Sequence, residues 1–315
     1  MKKVFIPLLL ITVLFLSSCA GKKRETLHTY AFDTIVNITA DKGDISYVHE
    51  ALGMCSELEN IFSRTLEESE LSKINQKKAS SLSADMKNVI DFSLYFSQLT
   101  DGAFDITIAP LTKLWNIKER TAPPTESEIA KAKEKVGYNS ISLSPLDIKE
   151  AQLDLGAVAK GYAADKIVEH FRKNNVSDVI IDLGGNVALI GEYSVGIRNP
   201  KSPDSLFAKF TLKDKSAVTS GAYQRYFEHE GVRYHHIIDP RTGYSANSGL
   251  SSVTVVSPLS MHADALSTAI YILGKDALSL CSHFPDTDAI LITESGEVIT
   301  TDGFKEKYSL ELLKD

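Results

Sequence analysis

"DLGAVAKGYAADK", Asp154–Lys166, is the stretch on which the reading of this chain turns. It begins like a strand and runs out as a helix, and glycine at 156 and 161 with alanine at 157, 159, 163 and 164 leaves its main chain bare. Bare backbone lets something approach the main chain closely. Amides at a helix N-terminus attract anions, so a weak phosphate cradle is one reading. The glycine spacing matches neither GxGxxG nor a P-loop ending in GK[ST], which leaves dinucleotide-fold and Walker assignments unsupported. A second reading turns the Ala159 carbonyl inward as a ligand for a hard cation such as magnesium, which takes oxygen donors, backbone ones included.

"MHADALSTAIYILG", Met261–Gly274, adds weight to the second reading. On a helix, Asp264, Ser267 and Thr268 stand at i, i+3 and i+4, so a carboxylate and two hydroxyls share one face as a magnesium half-site. Taken alone, the same residues also fit a bland reading, with Asp264 at the helix start and the hydroxyls bonded back to the i−4 carbonyl. His262 is read as a surface residue. A third stretch, Thr219–Tyr244, offers Tyr223, Tyr226, Phe227 and Tyr234 as aromatic surface for a planar ligand and Arg225 and Arg233 for phosphates. Glu230-Gly231 marks a hairpin turn, and Asp239-Pro240-Arg241-Thr242-Gly243 a second turn. A histidine of the His235-His236 pair would serve as a general base near neutral pH, or be a strand-edge histidine satisfied by backbone.

Around these stretches, apolar spacing predicts helices over about 47–62 and 84–99, and a Thr125/Glu128 capping box opens an exposed helix reaching Gly137. Thr29–Ala40 reads as one strand, and Ala103–Leu111 shows strand-like alternation broken by Pro110. Hairpins are expected in 140–156, 176–191 and 288–301, with a further strand in 249–258. Strands and helices mix without regular βαβ alternation, which predicts the α+β class, with mixed sheets and packed helices.

The chain opens on "MKKVFIPLLLITVLFLSSC", two lysines, an apolar run from Val4 to Leu16, then Ser17-Ser18-Cys19. The run is short for a span of about 20 residues and suits a signal-peptide core. Leucine and small residues before Cys19 match a lipobox. Residues 1–18 are therefore expected to be a lipoprotein signal peptide, Cys19 to be acylated, 19–28 to form a lipidated tether, and 29–315 to form the domain. Loss of Lys2 and Lys3 would take the formal charge from −7 to −9, an unfavourable balance for a nucleic-acid partner. Cys55 and Cys281 remain; Cys55 sits in a helical pattern, and no disulfide is expected.

In order and content, "AFDTIVNIT", "FSRTLEESELSKIN", "DGAFDITIAPL", "DLGAVAKGYAADK", "DLGGNV", "SGAYQRYFEHEGVRYHHIIDPRTG" and "ADALSTA" closely resemble the ApbE family of flavin transferases, over about residues 32–274. The resemblance implies an ApbE-like fold and an exported, membrane-anchored enzyme facing the periplasm or cell exterior. It would bind FAD with Mg2+ and transfer FMN to a threonine hydroxyl of a target protein, releasing AMP. The partners implied are threonine-bearing subunits of membrane redox complexes. By the same resemblance the metal ligands are the Ala159 carbonyl, Asp264, Thr268 and Ser267. Flavin contacts fall on Phe32, Thr65, Ala103, Phe104, Asp105, Gly156, Tyr162 and Ile238, and His236 is the base, with Asp264 also catalytic. Phe32-Asp33 stands where the family usually has Met-Gly. Thr65 occupies a position that could decide whether FAD is held for transfer or lost to water. The rival readings are accordingly an FAD pyrophosphatase giving FMN and AMP, and a non-catalytic flavin-binding lipoprotein.

Overall fold

Val179–Leu183 and Asn186–Ile190 are buried at every position, which marks a sheet covered on both faces. The computed structural model describes residues 23–202, 204–223 and 225–313, so the expected leader and the lipidation site Cys19 lie outside the described residues. Two strands, β1 (Arg24–Ala31) and β2 (Thr34–Asp41), open the chain. Helices α1 (Ile45–Phe62), α2 (Glu70–Asn75), α3 (Ala84–Leu99), α4 (Ala109–Trp115) and α5 (Glu126–Lys133) follow. A two-residue-strand hairpin, β3 (Ser142–Leu143) with β4 (Leu146–Asp147), leads to α6 (Ala159–Lys173). Five strands then run in sequence: β5 (Val179–Leu183), β6 (Asn186–Ile190), β7 (Glu192–Arg198), β8 (Leu206–Lys213) and β9 (Ser216–Gly221). After the hairpin β10 (Tyr226–His229) and β11 (Val232–His235) come β12 (Leu250–Ser257) and α7 (Ser260–Leu273). The chain ends through β13 (Asp288–Thr293), β14 (Val298–Thr300), α8 (Phe304–Lys307) and β15 (Glu311–Leu312).

Eight strands form one sheet in the order β1-β2-β5-β6-β9-β12-β13-β14, every neighbouring pair antiparallel. Alternation divides its side chains between two cores. Val179, Ile181 and Leu183 of β5 join the larger core under α1, α3, α6 and α7, whereas Ile180 faces a smaller core closed by Val195, Phe210 and Phe304. The second layer is the sheet β15-β8-β7. The result is the α+β architecture expected, with helices on one face and a small sheet on the other. Among the described residues no helix is long and apolar enough to cross a membrane.

Several local readings hold. The Thr125/Glu128 capping box forms, while the caps that Ser69 and Ser83 place on α2 and α3 were not anticipated. Cys55 and Cys281 are free and buried. Other readings change. Thr29–Ala40 is a hairpin rather than one strand, because Phe32 and Asp33 both adopt positive φ and turn the chain. The Tyr30 hydroxyl donates to Asp33 Oδ1 (2.9 Å) and the Phe32 amide to Glu59 Oε1 (2.8 Å), which holds the turn without glycine. Ala103–Leu111 is a turn leading into α4, with Pro110 in its first turn, where a fixed φ and a missing N–H suit a helix start. β1 begins at Arg24, inside the stretch expected to be tether. The strand expected at Asp154 shrinks to a single bridge between Gln152 and Ile108.

The bare motif at 154–166 is explained first by packing. A Cβ on Gly161 would lie 2.5 Å from the Ser260 carbonyl oxygen and 2.6 Å from Met261 Cα, so α6 and α7 touch backbone to backbone there. Alanine usually stabilises a helix by about 1 kcal/mol over glycine. Gly161→Ala is expected to do the reverse and cost about 1–3 kcal/mol through overpacking, read as a lower urea midpoint at unchanged m-value. A higher midpoint would show that the two helices do not meet closely.

Candidate functional site

Neither α6 nor α7 has a capping side chain of its own. Each is capped by the other. The Gly161 amide in the first turn of α6 donates to Asp264 Oδ2 of α7 (3.0 Å). In return the Ser260 and Met261 amides of α7 donate to the two oxygens of Asp165 on α6, at 2.6 and 2.9 Å. Carboxylates at helix N-termini are favoured by the orphan amides and by the helix dipole. Burial is the leading influence on Asp165 and pushes its carboxyl up to about 7, against the two amides that favour its charge.

Asp264 is therefore a buried carboxylate fixed at one oxygen; among the described residues no hydrogen bond to its Oδ1 is found. Lys160 Nζ lies 3.6 Å from its Oδ2 and donates to the Gly156 carbonyl (3.0 Å). Ser267 and Thr268 donate to the Asp264 carbonyl at 3.0 and 3.2 Å, as the bland reading expected. That bond uses the hydroxyl protons and leaves oxygen lone pairs for another partner. Ser220, at the end of β9, brings a third hydroxyl, 2.9 Å from Ser267 Oγ and 3.4 Å from Thr268 Oγ1. Ala159 is the first residue of α6, two positions before the amide that reaches Asp264. A carboxylate with hydroxyl and carbonyl oxygens suits a hard cation of the magnesium type, and no cluster of three or more His, Cys, Asp or Glu competes among the described residues.

His236 directly follows β11. Its amide donates to the Arg225 carbonyl (3.2 Å), and its Nδ1 lies 3.3 Å from the same oxygen. Desolvation, then the charges of Arg225, His235 and Lys160, hold the imidazole far below its ordinary range. The side chain keeps part of its surface accessible. The ring is a neutral base at physiological pH. Arg225 in turn meets Asp33, through Nη1 to Oδ2 (3.2 Å) and Nη2 to the carbonyl (3.2 Å). Burial works against the Asp33 charge, but Lys118, Tyr30 and Arg225 outweigh it and leave the carboxyl below its usual range.

The remaining predicted residues are held by other partners. Exposed Thr65 bonds Ser63, in a loop whose Arg64 pairs with Asp154 (2.9 Å) beside exposed Gly156. Ala103 and Phe104 are buried, Phe104 against Phe96. Asp105 accepts from Thr107 N, Thr107 Oγ1 and Tyr138 N, so its carboxylate organises its own loop. Tyr162 turns away to Asp85 (2.5 Å) and Phe62. Ile238 packs with Leu111, Trp115 and Ile129. The aromatic surface expected for a planar ligand is largely consumed internally: Phe227 and Tyr234 stack on each other, and Tyr234 on Trp115. Arg233 lies over Tyr226 and pairs with Glu228. His262 is not a surface residue but stacks between Phe92 and Phe284. Ser220, Asp165 and the Asp33–Arg225 pair were missed. A cavity of about 730 Å³ is lined by Tyr223, His235 and Tyr271 among others, and does not include Asp264.

The antiparallel α+β scaffold is shared with solved ApbE proteins. An ApbE protein from Thermotoga maritima superposes with a TM-score of 0.81 at 29% identity, over 90% of this chain and 99% of that one. The flavin transferase ApbE from Vibrio cholerae gives 0.79 at 24% identity, over 90% and 99%, and supports the fold alone. In sequence, the chain is 32% identical to the FAD:protein FMN transferase of Treponema pallidum, over 92% of this chain and 91% of that protein. It is 35% identical to one from Klebsiella pneumoniae, over 68% and 70%. The ApbE family profile matches residues 32–291, and the chain belongs to the ApbE family.

The depressed His236 pKa carries a stability consequence. Between the unfolded value near 6.5 and the lower native one, only the unfolded chain binds this proton, so stability is full above about pH 6.5 and falls as pH drops. His236→Gln is expected to lessen that fall by at most about 1.4 kcal/mol per pH unit, the value for one proton, in denaturant melts between pH 7 and 5. Comparing variant with parent cancels the opposing contributions of Asp165 and Asp182, whose carboxyls are raised to about 7 and 6. Parallel pH profiles for the two proteins would contradict a neutral, desolvated His236.

Proposed function

We infer that the chain is a magnesium-dependent FAD:protein FMN transferase that attaches FMN to a threonine hydroxyl and releases AMP. The observation that carries this reading is the oxygen cluster of Asp264, Ser267, Thr268 and Ser220, with Lys160 Nζ 3.6 Å from the Asp264 carboxylate. The names of the Treponema and Klebsiella relatives supply the activity class.

Asp264, Ser267 and Thr268, with the Ala159 carbonyl, would hold the magnesium ion. When bound, the ion supplies charge neutralisation for a pyrophosphate. The residues of the chain do the rest. Lys160, fastened between Gly156 and Asp264, adds a cation for the phosphates. His236 accepts the proton of the threonine hydroxyl as its oxygen bonds to the FMN-side phosphorus; the bond from that phosphorus to the bridging oxygen breaks, and AMP leaves with the electron pair. FAD and threonine become a phosphoester-linked FMN, AMP and one proton. The exposed 63–66 loop, with Thr65, borders the Asp154–Gly156 junction. Water entering there would divert the reaction to FAD hydrolysis.

Cys19 acylation would anchor the enzyme to a membrane outside the cytoplasm, and threonine-bearing subunits of membrane redox complexes are the acceptors within reach. The test is purified protein with FAD, magnesium and a threonine peptide. Flavin fluorescence surviving acid denaturation, with AMP released one for one, is expected. AMP without covalent flavin would establish a pyrophosphatase, and bound FAD without AMP a carrier. Asp264→Ala is expected to abolish magnesium binding by titration calorimetry together with turnover; magnesium affinity equal to that of the parent would remove Asp264 from the metal site.

A further inference from the structure

The β1–β2 turn is built from residues that do not favour it. Phe32 and Asp33 have φ of 54° and 61°, a region that glycine and asparagine enter readily and bulky side chains do not. Non-glycine residues held there mark places where surrounding contacts over-determine the backbone. Here those contacts converge on Asp33. Its Oδ1 accepts from the Tyr30 hydroxyl, and its Oδ2 meets both Lys118 and Arg225 Nη1. Its main-chain carbonyl accepts from Arg225 Nη2. Asp33 thus grips the Arg225 guanidinium with a side-chain oxygen and a backbone oxygen. That is a directional hold, stronger in geometry than one charge beside another.

Arg225 passes the hold on. Its own carbonyl takes the His236 amide and stands 3.3 Å from His236 Nδ1. With Nδ1–H donating to that carbonyl, the proton-accepting lone pair is on Nε2, and both tautomer and ring plane are set by where the Arg225 backbone lies. The arginine belongs to the short connection before β10, and the β10–β11 hairpin returns the chain to His236. Asp33 ties this connection to two segments remote in sequence, the β1–β2 turn and the stretch after α4 that carries Lys118.

We propose that Asp33 is a positioning residue for the transfer reaction, acting through Arg225 to fix the His236 ring and its tautomer. The proposal rests on His236 being the base, as inferred above. Asp33, Arg225 and Lys118 are each about half exposed, and exposed ion pairs add little to global stability. The effect of the network is therefore local, on the order of the 222–236 segment.

The test compares parent, Asp33→Asn, Arg225→Ala and the double variant, using full-length protein with FAD, magnesium and a threonine peptide. Asn keeps the shape and the backbone carbonyl and loses the charge. Asp33→Asn is expected to lower kcat about tenfold, part of the 100-fold or more a positioned base supplies, while KM for FAD stays within about twofold. Arg225→Ala should match that loss, and the double variant should lose no more than either single one, because the two residues act in series. An unchanged kcat in Asp33→Asn overturns the proposal, as does a rise in KM alone or a double-variant loss equal to the product of the single losses. A second readout does not depend on turnover. Carbethoxylation of His236, followed by peptide mass mapping, should be several-fold faster in Asp33→Asn than in the parent, and equal rates overturn the proposal. If the parent releases no AMP, the transferase reading fails, while the labelling comparison still judges the Asp33 hold.

Discussion

Two helices that cannot finish their own first turns are the constraint on which the rest of this structure depends. An uncapped N-terminus leaves amides facing a low-dielectric interior, a cost no buried helix tolerates. α6 and α7 meet that cost by exchange, Asp264 for the Gly161 amide and Asp165 for the Ser260 and Met261 amides. The exchange demands contact between backbones, and only glycine at 161 permits it. Once docked, the pair covers the helical face of the eight-stranded sheet and fills its larger core.

The same exchange makes the site. Asp264 sits deep because it caps a neighbour, and its second oxygen is available because capping needs only one. Two carboxylates of like charge this close to one interface would repel if both were fully ionised. The raised carboxyl of Asp165, with burial as its first cause and the Asp264 charge contributing, eases that conflict near neutral pH. Asp264 therefore has a structural role of its own, as the cap of α6, and Ser267, Thr268 and Ser220 gather their hydroxyls beside it.

Much of this was legible in the residues. The 3.6-residue spacing marked α1 and α3, the capping box marked α5, and the i, i+3, i+4 oxygens on α7 marked the half-site. What escaped was non-local. Asp165 reads as an ordinary helix acid until its partners, some ninety-five positions away, are known. Ser220 looks like any strand-end hydroxyl until β9 lies beside α7. The Phe32–Asp33 turn was hidden because neither residue is a turn former and the holding groups, Glu59, Lys118 and Arg225, come from elsewhere. The aromatic stretch 223–234 misled for a related reason, since composition cannot tell rings offered to a ligand from rings stacked on Trp115.

Mutual capping also sets an order of events. α6 ends at residue 173, yet the groups that terminate its first turn and accept its carboxylate belong to residues 260–264. Contacts of such sequence separation form late, after their loop-closure entropy has been met. A chain emerging from its N-terminus has the small-residue face of α6 long before it has α7. Until then the oxygen cluster lacks its carboxylate and two of its hydroxyls, because Asp264, Ser267 and Thr268 all arrive on the later helix, and only Ser220 and Ala159 precede it. A nascent chain that lacks α7 therefore lacks the Asp264 carboxylate cluster, which forms in the same step that completes the fold.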